Sequence, residues 1–138
     1  MNSSEWKLKE RNSRRRLSRL HRLVASTLFT SWTTRCGKEP TSSLLDWTSG
    51  LVADLSWVLD RKLTEEGTPY VELSLDQLEH QIGIGRLQVI ELLIDLQAAL
   101  ERELKSTRTE PYFVLWNTSK STHPLPLKEM AATPRLMQ

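Results

Sequence analysis

Between residues 6 and 32 the chain has no Gly or Pro, and Leu17, Leu20, Leu23, Val24, Leu28 and Trp32 recur at steps of three and four. That spacing collects side chains on one face of an α-helix. The charged side carries Arg11, Arg14, Arg15, Arg16, Arg19 and Arg22, with Lys7 and Lys9 before them. The pattern predicts a basic amphipathic helix, broken by Gly37 and Pro40.

A second helical stripe follows in Leu44, Trp47, Leu51, Leu55, Val58 and Leu59. Ser43 and Asp46 resemble a capping box at its start, and the segment from Gly67 to Pro69 ends it. Residues 70–73 favour a strand. Ser74 and Gln77 then form a clear capping box for a helix through Leu75, Leu78 and Ile82. Gly83 suits a left-handed helix end, so Gly83 and Gly85 predict a tight turn into another helix. From Arg86 that helix is expected to bury Leu87, Val89, Ile90, Leu93, Ile94 and Leu96.

Residues 98–105 fit two patterns. They extend the helix, or residues 100–104 form a strand that turns at 107–110 and pairs with 112–116. The hairpin is the preferred reading, with Pro111 at a strand start where a missing N–H does no harm. Beyond residue 116, Pro, Ser, Thr and Lys dominate, and residues 117–138 are expected to be a disordered tail.

Composition narrows the class. Hydrophobic content of 38% and charged content of 26% fit a soluble globular chain of 138 residues. The longest apolar stretch, 87–100, is interrupted by Glu91 and Asp95 and is too short to span a bilayer. Cys36 is the only cysteine, which excludes an internal disulfide and favours a reducing compartment. The expected location is cytoplasmic or nucleoid-associated, although an Arg- and Ser-rich, acid-poor stretch at 11–35 also has the composition of an organelle transit peptide.

Net charge hides an asymmetry. Residues 1–35 hold nine Lys or Arg against Glu5 and Glu10, while residues 36–138 hold ten against fifteen acids. The basic segment has three readings: phosphate contacts on nucleic acid, pairing with the chain's own acidic surface, and attraction to an acidic membrane surface.

The order helix, strand, capped helix, glycine turn, helix and hairpin within residues 41–116 resembles the winged helix-turn-helix superfamily. The match is carried by residues 71–97, where Leu75, Leu78, Ile82, Ile84, Val89, Leu93 and Leu96 take the interlocking apolar positions. The resemblance implies a fold that is mainly α with a small β-hairpin, here preceded by a basic amphipathic helix in residues 1–40. It also implies a helix after the turn that enters the major groove, placing Arg86 and Gln88 at base edges, with Lys105 and Arg108 at the wing. Glu91 and Asp95 on the same helix make a negative patch that opposes a polyanion. Gly85 stands where many members place a Ser or Thr cap.

Other chemistry is set aside. The Gly83 to Gln88 segment follows a helix, not a strand, so it is a turn and not a dinucleotide fingerprint. His21, His80 and His123 lie on separate elements, so neither a metal nor another cofactor is expected. The carboxylates Asp54, Asp60, Glu65 and Glu66 read as solvated charge. Of the five tryptophans, Trp47, Trp57 and Trp116 belong to core-forming elements, at least two of them in or beside the core. Trp6 and Trp32 bracket the basic helix as partner anchors, fitting a homodimer or another protein. The expected function is non-enzymatic nucleic-acid binding in transcriptional or replication-type regulation, with Arg14, Arg15, Arg16, Arg19 and Arg22 on phosphates. The alternative is a protein-interaction subunit of a larger assembly, with Trp6, Trp32, Glu91 and Asp95 as docking residues.

Overall fold

A computed structural model describes residues 3–62, 70–103, 113–118, 120 and 122–132. Its elements run α1 (Ser3–Cys36), α2 (Ser42–Lys62), β1 (Val71–Ser74), α3 (Leu75–Ile82), α4 (Arg86–Glu103), β2 (Phe113–Trp116), β3 (Leu125–Pro126) and α5 (Leu127–Ala132). The fold is mainly helical with a small three-stranded sheet.

Local chemistry explains most boundaries. α1 closes at Cys36, where Gly37 takes φ 64° and its N–H donates to the Thr33 carbonyl at 2.9 Å. α2 is capped by Thr41, not Ser43. The Leu44 N–H donates to Thr41 Oγ1 at 3.2 Å, which fixes the first helical residue one position before the expected cap. Ser74 caps α3 as expected, accepting from the Gln77 N–H, and Gly83 ends it with φ 80° and ψ 30°. Gln88 caps α4: its Oε1 accepts from the Gly85 N–H at 3.0 Å, so a side chain at the third helical position takes the place of the missing Ser or Thr.

One core joins all the helices. It contains Leu20, Val24, Leu28 and Trp32 of α1, Leu44, Trp47, Leu51 and Leu55 of α2, Leu75 and Leu78 of α3, and Val89, Leu93, Leu96 and Leu100 of α4. The second half of α1 therefore contributes to the same core as the helices beyond residue 40. The apolar stripe of α1 is long enough to need a partner, and α2 and α4 supply it.

The expected strand at 100–104 is corrected for its described part. Residues 100–103 continue α4, because Leu100 is fully buried one turn beyond Leu96 and the stripe prolongs without interruption. The chain between β1 and β2 thus holds two helices, and β1 pairs with β2 in parallel, Val71 opposite Phe113 and Ser74 opposite Trp116. The antiparallel pair is β2 with β3, Val114 opposite Pro126. Pro126 is tolerated there because β3 is an edge strand.

The expected disordered tail is also corrected for its described part. Pro124 and Pro126 forbid a long element yet allow two short ones, and Leu127 and Met130 of α5 are buried in the common core. Leu87 and Ile94, expected inside, are 57% and 37% exposed: they lie two turns apart on the one side of α4 that the body leaves open. Among the described residues no helix is long and apolar enough to cross a membrane.

Candidate nucleic-acid interface

The described side chains in the first half of α1 face solvent. Lys7, Arg11 and residues 14–19 are exposed, and Leu20 is the first buried side chain among those described. From Ser3 to Arg19 the helix runs about 25 Å at 1.5 Å per residue. Ser31 Oγ donates to Asp95 at 2.5 Å and Arg35 pairs with Glu91 at 2.9 Å, so moving four residues forward along α1 moves four residues back along α4. The two helices are antiparallel, and the first half of α1 extends past the carboxyl end of α4.

Helical geometry sorts its charges. At about 100° per residue, Lys7, Arg11, Arg14, Arg15, Arg19 and Arg22 fall within an arc of about 140°, with Ser18 among them. Leu20 and Val24 point the opposite way, into the core. Arg16 lies outside the arc. Among the described residues, Lys7, Arg11, Arg15, Arg19 and Arg22 have no ion-pair or hydrogen-bond partner. The helix is a rod with one cationic side and its own backbone hydrogen bonds satisfied, a form that can follow a phosphate chain.

The expected reading helix is engaged elsewhere. The Arg86 guanidinium contacts Asp76, Glu79 Oε1 at 2.6 Å and Asn117 Oδ1 at 2.6 Å, three partners that tie α4 to α3 and to the residue after β2. In this structure its donors go to two carboxylates and one amide oxygen, so Arg86 ties these elements together. Gln88 is likewise occupied in capping α4.

Glu91 and Asp95 do form one cluster on α4, but Arg35 of α1 covers them. Arg35 Nη1 donates to Glu91 Oε2 at 2.9 Å, while Nε and Nη2 donate to Asp95 Oδ2 at 3.1 and 3.0 Å. The Asp95 hydrogen bond, opposed by partial desolvation and reinforced by the charges of Asp95 and Glu91, holds the guanidinium above its ordinary pKa. The charge of the patch expected to repel a polyanion is thus partly offset from within, one guanidinium facing two carboxylates. Both carboxylates stay part-exposed while they pair with Arg35.

The aromatic expectations divide. Trp32 is 2% exposed and donates its indole N–H to the Glu39 carbonyl at 3.2 Å, so it is a core residue and not a surface anchor. Trp47 is buried, Trp116 half-buried and Trp57 60% exposed. The side chain of Trp6, together with Lys105 and Arg108, lies outside the described residues.

Two contributors were missed in the sequence. Arg35 looks like a lone cation at a helix end, and only its position eleven residues beyond Val24 on the packed face brings it to α4. Asn117 falls in the segment expected to be a tail. No protein-family model, characterised protein or solved structure matches the chain.

Proposed function

We propose that the chain is a non-enzymatic nucleic-acid-binding protein of winged helix-turn-helix type whose docking surface is the arginine arc of α1, not the helix that follows the glycine turn. The exposed row Arg11, Arg15, Arg19 and Arg22, without partners among the described residues and on one side of a single helix, carries this reading. The capped α3, the Gly83 turn and α4 support the fold assignment. Contacts of this kind neutralise phosphates without reading bases, so binding should tolerate changes of sequence and weaken steeply with salt.

Fluorescence anisotropy with a labelled duplex of about 20 base pairs tests it. Replacing Arg11, Arg15, Arg19 and Arg22 by Ala should reduce the slope of log K against log salt by about 3 to 4, roughly one for each phosphate no longer neutralised. Arg86→Ala should leave affinity unchanged. Absence of binding at low salt, or a quadruple variant that binds like the unaltered chain, would sink the reading.

A protein-interaction subunit is the second reading, favoured by the exposed pair Leu87 and Ile94 on α4. It requires that Leu87→Ser with Ile94→Ser abolish capture of a co-purifying polypeptide while duplex binding stays the same.

A further inference from the structure

An open groove of about 240 Å³ lies between α2 on one side and β1 with α3 on the other. Its floor is apolar, formed by Trp47, Leu51, Leu73 and Leu78, and none of its lining residues is a Lys or Arg. The α2 wall presents Asp46, Gly50 and Asp54, spaced by four residues and so stacked on one helical face. Asp46 and Asp54 have no hydrogen-bond or ion-pair partner among the described residues.

Gly50 adds a separate observation. Its φ is not positive and a Cβ built on it would meet nothing within 4 Å, so neither backbone conformation nor internal packing requires glycine inside this helix. Its missing side chain opens the wall midway between the two carboxylates, where another chain can approach the α2 backbone closely.

Arg11, Arg15 and Arg19 repeat the same spacing with opposite charge. Aspartates eight residues apart on one helix and arginines eight residues apart on another are both separated by about 12 Å along the axis. We propose that the arginine half of α1 from a second copy of this chain lies along this groove, Arg11 and Arg19 pairing with Asp46 and Asp54 while Arg15 packs over Gly50. The occupant is a second copy because α1 is one unbroken helix from Ser3 to Cys36 and cannot fold back onto its own groove. Reciprocal exchange closes a two-fold pair, the commonest symmetry of such assemblies. The inference does not rest on nucleic-acid binding, and the test is run on nuclease-treated protein.

Sedimentation equilibrium of the full chain provides the measurement. In about 50 mM salt the mass should be twice that of one chain, falling to that of a single chain in about 500 mM salt as the ion pairs are screened. Asp46→Lys with Asp54→Lys should be monomeric at low salt, and so should Arg11→Glu with Arg19→Glu. An equimolar mixture of the two charge-reversed proteins should associate again. Gly50→Leu should block association without touching a charge, and Asp46→Asn with Asp54→Asn should weaken it at least about tenfold. Circular dichroism confirms that each variant is folded. A wild-type chain that stays monomeric at low salt overturns the proposal, as does a mixture that fails to associate. Monomeric protein that instead takes up a free arginine-rich peptide in the groove also overturns it, since the occupant is then not a second copy.

Discussion

Gly83 and Gly50 are the same residue under opposite constraints. Gly83 ends α3 at φ 80°, a conformation that an L side chain adopts at a cost, whereas Gly50 sits within α2 with open space where a side chain would go. Gly83→Ala should therefore lower stability by about 1 kcal/mol or more, and Gly50→Ala should raise it by about 0.5 to 1 kcal/mol. Urea denaturation of both variants checks the contrast, and two changes of the same sign would contradict it. Single residues were unevenly legible. Ser74 and Gly83 announce themselves because a cap and a left-handed turn depend on one side chain and its neighbours. Arg86 did not, because the residues that claim it, Asp76, Glu79 and Asn117, are assembled only by the tertiary fold.

At the scale of elements, the informative contact is the clasp of Arg35 on α4. Removing one side of a partly exposed, multidentate ion pair costs more than an isolated surface pair but far less than a buried one. Arg35→Ala should cost about 1 kcal/mol, lowering Tm by roughly 3 to 4 °C. A double-mutant cycle with Asp95→Asn should show strongly non-additive losses, and simple additivity would mean that the clasp contributes nothing. The raised Arg35 pKa stabilises the folded state below the unfolded-state value and fades only as pH rises through the folded one. Both lie above the neutral range, so deprotonation of Arg35 does not open the clasp there. Element boundaries were legible where local chemistry sets them. Over residues 100–103 a two-residue alternation and a helical stripe look alike, and Leu100 is drawn into the helix by burial beside Leu93 and Leu96. Likewise, Thr41 and Ser43 are equally good caps as residue types, and the backbone selects the earlier one.

The whole molecule differs from its sequence reading most in what counts as core. The α1 stripe was legible as amphipathic, but not that Leu20, Val24, Leu28 and Trp32 pack into the same interior as α2 and α4. The proline-rich end hid a strand and a helix whose two buried residues, Leu127 and Met130, are too few to make a periodic signal. In the arginine half of α1 the described side chains, Lys7, Arg11 and residues 14–19, are exposed. A helical segment with exposed side chains draws less on tertiary packing, so it should open at lower free energy than the body does. Each opening offers trypsin several arginines within three turns of helix. Limited proteolysis should therefore cut between Arg11 and Arg22 well before any site in α2 or α4, leaving a resistant fragment that mass spectrometry can identify. Early cutting within α2 or α4 instead would contradict that ordering. The cleavage of those peptide bonds then becomes a clock for occupancy: whatever surface the cationic rod lies against, a phosphate chain or a second molecule's groove, should lower its rate in proportion to the fraction covered.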